Sequence, residues 1–276
     1  MEIQRFYNFN PDKKQTLNVH GFVETALLAL DRYLVYIAGK KPDILDKLVT
    51  DLESRYKSAV PSGFGIKDSF NTANVSTGAK KLMDFPSLLT ACVDFLLTML
   101  DVPRDYEWQF QEIDLLSLNV TRANQVHFYY RVKSLTELMD REEAIQLLKD
   151  YIDFSIANHG QAEQFDDLQS MYESNIKETS EDESGDWIVI SIDNGRYISR
   201  GDRCSPYEVL KGFNDPELTF ITSCYGDFAM VRKMNENFVL TRTHTQLNGL
   251  YCDTCIHDTR VVDKIEHPPK EVYENL

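Results

Sequence analysis

The residues best suited to chemistry are concentrated in the last third of the chain. Four of the five cysteines lie there: Cys204, Cys224, Cys252 and Cys255. The same stretch carries groups that ionise or bind anions: Asp227, Arg242, His244 and Asp253. Thiol, carboxylate, imidazole and guanidinium groups together can activate a nucleophile, move protons and hold an anionic substrate. We therefore expect a functional site between residues 204 and 255.

Residues 237–253 predict a β-hairpin that brings several of these groups together. Phe238 and Leu240 alternate with less apolar residues, as in a half-buried strand. Asn248-Gly249 is a strong two-residue turn signal, and a glycine in such a turn adopts a positive φ. The hairpin is expected to place four side chains close to one another: Arg242, His244, Cys252 and Asp253.

One chemistry open to this set is nucleophilic catalysis by a thiolate. The nucleophile is Cys252 or Cys224, His244 is the base, and Asp227 or Asp253 orients the base. Arg242, ten residues before Cys252, is expected to lie across the hairpin and to lower the pKa of that thiol by favouring its charged form.

Zinc binding and simple packing are the alternatives. The ligands of a zinc site would come from the four cysteines of this region, Cys204, Cys224, Cys252 and Cys255, and from His244 or His257. Cys252-Asp-Thr-Cys255 is a CxxC motif, but no second CxxC accompanies it. Residues three apart on a strand point to opposite faces, which weakens the zinc interpretation. Cysteines also serve as small buried apolar residues, as we expect for Cys92.

Hydrophobic periodicity predicts the elements that position these residues. A buried strand is predicted at residues 187–192 and a long connection at residues 60–80. Asp140, with Glu143 three residues later, predicts the start of another helix. In the last helical segment Cys224 and Asp227 share a face. The other helices are predicted at residues 19–38, 42–57, 86–100, 117–139, 204–212 and 218–234.

These elements predict an α+β fold, with a helical N-terminal region and a C-terminal domain built on a small antiparallel sheet with packed helices. The mainly helical region spans residues 1–176, and residues 177–185 form an acidic, flexible linker. The α+β domain that carries the cysteines, Asp227 and Arg242 spans residues 186–265. Residues 266–276, which contain Pro268-Pro269, are expected to be an exposed tail.

Charge and composition exclude several classes of function. A net charge of -15 disfavours binding to nucleic acid phosphates. The N-terminus lacks a signal-peptide core, and no long apolar window predicts a membrane span. Five cysteines without an export signal predict a reducing cytoplasm. We expect a cytoplasmic protein with a small-molecule substrate, no nucleic acid or membrane partner and no cofactor other than the zinc alternative; homo-oligomerisation stays open.

The order of motifs resembles the L-2-amino-thiazoline-4-carboxylic acid hydrolase family. The resemblance covers roughly residues 140–260, beginning near Glu142-Glu-Ala. Its motifs, each weak alone and fairly specific together, are Cys204 and Tyr207, Asp215-Pro-Glu-Leu218, Cys224-Tyr-Gly-Asp227, Leu240-Thr-Arg-Thr-His-Thr245 and Gly249-Leu-Tyr-Cys-Asp253. After Asp253 this chain has Thr254-Cys255, where the family usually has an aromatic and a basic residue.

The resemblance implies hydrolytic opening of a cyclic amidine, 2-aminothiazoline-4-carboxylate, to N-carbamoyl-cysteine. The positions that match the family are Cys204, Cys224, Asp227, Arg242, Thr243, Thr245, Gly249, Cys252 and Asp253. Among the candidate site residues we expect Cys252, Asp227, Cys224 and His244 to be catalytic, and Arg242, Thr243, Thr245, Cys204 and Asp253 to contact the substrate. In chemical terms a buried Asp227 serves as base, His244 as acid, and Arg242 holds the substrate carboxylate bidentately. A small-molecule or metal-sensing binding domain without catalysis is the alternative, and an inactive descendant that serves in assembly is a third.

Overall fold

A computed structural model of the chain describes residues 3–62, 78–103, 106, 112–193 and 195–276. Most of the predicted connection at residues 60–80 lies outside the described residues. In the described ranges the strands are β1 Ile3–Tyr7, β2 Lys14–Asn18, β3 Glu112–Leu116, β4 Gly185–Asp193, β5 Arg196–Cys204, β6 Phe238–Thr241 and β7 Cys252–Asp258. The helices are α1 Val19–Lys40, α2 Leu45–Ala59, α3 Pro86–Leu100, α4 Ser117–Leu138, α5 Arg141–His159, α6 Leu168–Glu181, α7 Ser205–Leu210, α8 Pro216–Ser223, α9 Gly226–Met234 and α10 Lys270–Glu274. The fold is α+β, as predicted.

The chain packs as two compact units. One unit consists of residues 12–147, and the other joins residues 1–11 to residues 148–276. The predicted domain boundaries, which fall at other positions, stay a prediction. No helix in the described ranges is both long enough and apolar enough to cross a membrane.

The helical unit, residues 12–147, follows the predicted periodicity closely. Its α1, α2, α3 and α4 agree with the predicted segments to within a few residues. Asn18 caps α1 by accepting the backbone N–H of Gly21 at 2.9 Å. Asp140 accepts the N–H groups of Glu142 and Glu143 at the start of α5, which confirms the predicted cap. Cys92 is fully buried on α3, as expected for a packing cysteine.

The second unit, residues 1–11 and 148–276, is built on a five-stranded antiparallel sheet in the order β1-β4-β5-β7-β6. Every residue of β7 is buried, because this strand lies between two others and is covered on both faces. Ile256 packs with Val189 and Tyr197 on one face. Cys255 packs with Ile190, Ile198, Tyr251 and Tyr273 on the other. This alternation decides which side of the sheet each functional residue of β7 occupies.

Two predicted features differ from the structure. The segment predicted as an acidic linker, residues 177–185, is helical as far as Glu181, where α6 ends. Asp167 and Ser170 form a capping box that fixes the start of this helix. Beyond it, the carbonyl of Ser184 accepts the backbone N–H and the hydroxyl of Ser205, at 2.9 and 3.0 Å.

The tail predicted to be exposed also packs on the sheet. Tyr273 in α10 is fully buried, and Arg200 on β5 donates to its carbonyl at 2.7 Å. The apolar side chains of Val272 and Leu276 pack beside it. Val272, Tyr273 and Leu276 are spaced so that they lie on one side of a helical turn, and this side packs against the core. The sequence interpretation did not detect this pattern.

Candidate active site

The predicted hairpin forms, but with a wider connection than expected. Strands β6 and β7 pair with Thr241 opposite Cys255, so residues 242–251 form the loop between them. Its turn is closed by Asn248, whose side chain accepts the N–H of Thr245 at 2.7 Å. The prediction of a positive φ at Gly249 is wrong: among glycines of the described residues, only Gly195 has one, at 78°. A long loop closed by a side chain does not need the left-handed glycine of a two-residue turn.

Arg242 is the buried cation of the loop. Its side chain is 9% exposed, and Nη1 lies 2.8 Å from Oδ2 of Asp227. Nη2 and Nε both donate to the hydroxyl of Thr254 on β7, at 3.0 and 3.3 Å. Burial opposes the charge, but the Asp227 carboxylate outweighs it and raises the pKa of Arg242. Arg242 is therefore held in a fixed position and is not part of a surface ion pair.

Asp227 lies in the first turn of α9, where the positive end of the helix dipole favours a carboxylate. The sequence interpretation expected it to be buried, but its side chain is 50% exposed. The helix predicted across residues 218–234 is interrupted between α8 and α9, and Cys224 lies at that break. The break places Cys224 and Asp227 side by side at adjoining helix ends, and the N–H of Asp227 donates to the carbonyl of Cys224 at 3.3 Å.

Three thiols gather around this ion pair: Cys204 at the end of β5, Cys224 after α8, and Cys252 at the start of β7. Gln246 links two of them. Its backbone N–H donates to Sγ of Cys252 at 3.3 Å, and its Oε1 accepts from Sγ of Cys204 at 3.5 Å. The thiols lie close enough to one another and to Arg242 to influence each other's ionisation. We call this set the thiol cluster: Cys204, Cys224, Cys252, Asp227 and Arg242.

Burial governs the ionisation of these thiols. It raises the pKa of Cys204 to about 12 and that of Cys224 to about 11. Burial also raises the pKa of Cys252, although the Gln246 N–H and Arg242 act to lower it. Arg242 therefore acts on Cys252 in the expected direction, but desolvation outweighs the guanidinium and the pKa of this thiol rises. At neutral pH the free protein holds three protonated thiols around Arg242.

Asp253 belongs to a second group on the other face of β7. Its side chain is 2% exposed. Oδ1 accepts the backbone N–H groups of Thr243 and His244 at 2.8 and 2.7 Å. Oδ2 accepts the Thr243 hydroxyl and lies 3.2 Å from Nδ1 of His244 and 3.0 Å from Nε2 of His267. We call this group the Asp253 cluster: Asp253, Thr243, His244 and His267.

The carboxyl of Asp253 stays ionised because its hydrogen bonds outweigh its burial. Burial alone would raise its pKa, but bonds from His267, from the Thr243 hydroxyl and from two backbone N–H groups hold it well below the usual range. Of the two carboxylates predicted to orient His244, Asp253 is the one beside it. The His244 ring is 36% exposed and lies at 6.1 Å from the Tyr251 ring.

The remaining predicted residues have structural partners. Thr245 is buried, and its hydroxyl lies 3.4 Å from Oδ1 of Asn248. Cys255 is fully buried in the core on the Asp253 side of β7, and all five cysteines are free. No group of three or more His, Cys, Asp or Glu side chains within the described ranges is arranged to hold a metal ion. Cys255 thus lies apart from the other three cysteines of the zinc alternative, which stays a prediction.

Three residues that belong to the two clusters or support them were not predicted from the sequence. Thr254 follows Asp253 and holds Arg242, Gln246 links two thiols, and His267 reaches Asp253 from the C-terminal segment. Gln246 lies within the predicted hairpin and Thr254 directly follows it, and strand alternation assigns Thr254 to the side of Cys252. His267 lies fourteen residues beyond Asp253, and its only local signal is the amphipathic turn that follows it.

Comparison with known proteins identifies the segment that carries the thiol cluster. The model of the family described as L-2-amino-thiazoline-4-carboxylic acid hydrolase matches residues 120–256, which confirms the predicted resemblance. No curated protein and no solved structure matches the chain. The matched segment includes the whole thiol cluster and Asp253, and it ends before His267.

Proposed function

We propose that the chain, whose residues 120–256 match the model of the L-2-amino-thiazoline-4-carboxylic acid hydrolase family, hydrolyses a small cyclic amidine that bears a carboxylate. The proposed substrate is 2-aminothiazoline-4-carboxylate, and the product is N-carbamoyl-cysteine. The observation that carries the proposal is a buried arginine paired with a half-exposed carboxylate inside a group of three thiols: Arg242 with Asp227.

The charges of this ion pair match those of the substrate. A 2-aminothiazoline-4-carboxylate carries a carboxylate at one end and a protonated amidine at the other. The substrate carboxylate takes the place of Asp227 at Arg242, where a guanidinium offers parallel N–H donors. The amidinium then faces the freed Asp227 carboxylate. Because Asp227 is half exposed and Arg242 is held by Thr254, the Asp227 side chain is the partner that moves when the substrate binds.

The reaction adds one water and breaks one bond. The water oxygen attacks the amidine carbon, the bond from this carbon to the ring sulfur breaks, and the carbon becomes a urea carbonyl. Both water protons leave the oxygen. In sum one proton reaches the sulfur and one is released to solvent, while the nitrogens keep their three hydrogens. The product therefore carries one more negative charge than the substrate.

Asp227 and Cys252 have the chemical properties that these steps need. Asp227, once it no longer pairs with Arg242, accepts a proton from the attacking water. A protonated thiol beside the site supplies the proton for the leaving sulfur, and a thiol has a proton affinity close to that of the leaving group. Cys252 takes this role, and Asp227 returns a proton to it afterwards. This scheme assigns no proton transfer to His244, which lies with Asp253.

A pair of serine variants on one strand tests the role of the thiol. Cys252→Ser keeps the size of the side chain but removes the ionisable sulfur, and we expect turnover of 2-aminothiazoline-4-carboxylate to fall by about 10²–10⁴-fold, the usual value of a positioned acid. Cys255→Ser, three residues along β7 and on the other face, is the matched control and keeps its turnover. Equal rates in the two variants would remove Cys252 from the mechanism.

The same assay tests Asp227. Asp227→Asn keeps a hydrogen-bond acceptor for Arg242 but removes the base, so we expect kcat to fall by about 10²–10⁴-fold. The Michaelis constant changes less, because the amide leaves Arg242 free to bind the substrate carboxylate. Unchanged kcat in this variant would contradict the proposed base.

One observation favours the alternative, a small-molecule-sensing domain without catalysis. Burial raises the pKa of the thiols in the cluster and Arg242 pairs with Asp227, so the free protein holds neither an activated thiolate nor an unpaired carboxylate base in the cluster. A sensor binds the thiazoline and releases it unchanged, and calorimetry combined with product analysis separates the two functions. The free cysteines suit a reducing cytoplasm, which we propose as the location; assembly into a homo-oligomer stays a prediction.

A further inference from the structure

The C-terminal segment, residues 266–276, is attached to the strands that carry the site. The hydroxyl of the fully buried Tyr273 donates to the carbonyl of Thr254 at 3.3 Å. Thr254 is also the residue whose side chain holds Arg242. The segment is thus bonded to β7 directly behind the thiol cluster.

His267 is fixed from three directions. Its ring is parallel to that of Tyr273, at 6° and a centroid distance of 5.4 Å. Nδ1 lies 2.9 Å from the hydroxyl of Thr241, and Nε2 lies 3.0 Å from Oδ2 of Asp253. Thr241 is the last residue of β6 and immediately precedes Arg242. His267 therefore connects the ends of β6 and β7 where the loop begins and ends.

One assignment of protons satisfies these contacts. An ionised Asp253 only accepts, so Nε2 of His267 carries a proton and donates it. Nδ1 of a neutral His267 then accepts, and the Thr241 hydroxyl donates to it at 2.9 Å in preference to the Cys255 carbonyl, which lies farther away at 3.4 Å. The same hydroxyl oxygen accepts from Nε2 of His257, which lies at 2.9 Å. Every contact in this chain then has one donor and one acceptor.

Asp253 transmits this arrangement to the loop. Its second oxygen accepts the N–H groups of Thr243 and His244, the two residues that follow Arg242. Its neighbours on β7, Cys252 and Thr254, are held by the pairing of β7 with β5, so the loop backbone next to Arg242 is the part that depends on Asp253. Among the hydrogen bonds that keep Asp253 ionised, the one from His267 contributes most.

We infer that His267 is a positioning residue: it fixes Asp253 and, through the two backbone N–H groups that Asp253 accepts, fixes the backbone next to Arg242. The substrate carboxylate is therefore bound by an arginine whose place is set from the C-terminal segment, beyond the part of the chain that matches the family. The role in substrate binding rests on the proposed function, whereas the positioning of the loop does not.

Two substitutions separate the hydrogen bond of His267 from its ring. His267→Gln keeps an N–H donor at the position of Nε2 and loses the ring. His267→Phe keeps the ring on Tyr273 and loses the donor. If the N–H donor of His267 matters, His267→Gln behaves like the native chain and His267→Phe does not. If only the packing of the ring matters, His267→Phe behaves like the native chain and His267→Gln does not. Tyr273→Phe, which keeps the ring stack and lacks one hydroxyl, is the control for the segment itself.

Amide hydrogen exchange on the full chain reads the positioning without any turnover. We expect the amides of Thr243 and His244 to exchange about tenfold faster in His267→Phe, and to stay protected in His267→Gln and Tyr273→Phe. The amide of Asn248, which donates to Thr245 in the same loop, is the internal control. Unchanged protection in His267→Phe, or equal loss in the glutamine and phenylalanine variants, would overturn the inference.

Kinetics then test the link to Arg242. His267→Phe should raise the Michaelis constant for 2-aminothiazoline-4-carboxylate by about 10²-fold, the cost of a misplacement near 1 Å. It should leave the weak turnover of 2-aminothiazoline, which lacks the carboxylate, unchanged, and His267→Gln should restore the native constant. Equal losses on both compounds would overturn the link. If the native chain turns over neither compound, the proposed function fails, and the exchange data still decide the positioning role.

Discussion

At the scale of single residues, the balance between burial and charge decides the chemistry. Arg242 acts on each thiol of the cluster in the direction that favours a thiolate, yet burial prevails and the pKa values of Cys204, Cys224 and Cys252 rise. In Asp253 the balance is reversed, because several donors converge on one carboxylate. One pKa unit corresponds to about 1.4 kcal/mol. A difference of a few hydrogen-bond donors around a buried group therefore decides whether it stays protonated, like the thiols, or ionised, like Asp253.

Asp253 makes stability depend on pH. Its pKa is lower in the folded chain than in the unfolded one, so its contribution is present above the unfolded value, about 3.9, and is lost as the pH falls through the folded value. We expect Asp253→Asn to lower the free energy of unfolding by about 2–4 kcal/mol at pH 7, since an amide presents N–H groups to donors in a buried site.

Urea unfolding at pH 7 and at about pH 3 measures this effect. The difference in the free energy of unfolding between the native chain and Asp253→Asn should narrow at the lower pH, because there the Asp253 carboxyl of the unfolded chain is largely protonated. Asp263→Asn, at an exposed position, provides the comparison and should show little difference at either pH. A gap that is equally wide at both values would contradict the role of Asp253 as a stabilising anion.

At the scale of elements, strand β7 divides the site. Alternation sends Cys252 and Thr254 to one face and Asp253 and Cys255 to the other. The sequence predicted that Arg242, His244, Cys252 and Asp253 come together, and the hairpin does bring them near one another. The prediction did not place Cys252 and Asp253 on opposite faces of β7. The register of β6 against β7 depends on the length of the loop, and the prediction assumed a two-residue turn at Asn248-Gly249.

Two glycines test this account of the loops. Gly249 has no positive φ, and a Cβ there would lie at an ordinary 3.6 Å from its neighbours. Gly195, in the turn between β4 and β5, has φ +78 and a Cβ would lie 2.6 Å from Val261. We expect Gly249→Ala to change the free energy of unfolding by less than about 0.5 kcal/mol, and Gly195→Ala to lower it by about 1–3 kcal/mol.

Thermal and urea unfolding of the two alanine variants provide the measurement, and each variant is the control for the other. If Gly249→Ala is the more damaging of the two, the tight turn predicted from the sequence is the better description of the loop. The helices α1 to α4 needed no such correction, since the periodicity of a long helix is a local property that its own sequence contains.

At the scale of the whole molecule, the contacts that matter most join distant parts of the chain. Strand β1 at the N-terminus pairs with β4, with Ile3 opposite Ile190, and His267 bonds to Asp253 from the C-terminal segment. Local patterns carry no information about such partners, which is why the tail was predicted without its role. The family resemblance identified the central motifs because it depends on the order and combination of motifs across residues 140–260.

The net charge of the chain also bears on the binding of the proposed substrate. At -15 the molecule repels anions in general, and binding then requires a local cation such as Arg242. A zwitterion has no net charge and meets no such barrier, whereas the product of ring opening is an anion. The same field that permits the substrate to enter therefore favours release of the product.

The central claim is that the chain opens the thiazoline ring with water at the amidine carbon. Incubation of the purified protein with 2-aminothiazoline-4-carboxylate in water enriched in oxygen-18, followed by mass spectrometry, tests it directly. The account predicts N-carbamoyl-cysteine with a single oxygen-18 in its urea carbonyl, formed by the native chain and by Cys255→Ser, and strongly reduced in Cys252→Ser and Asp227→Asn. Substrate that binds but is recovered unchanged, or product at equal rates in all four proteins, would contradict it.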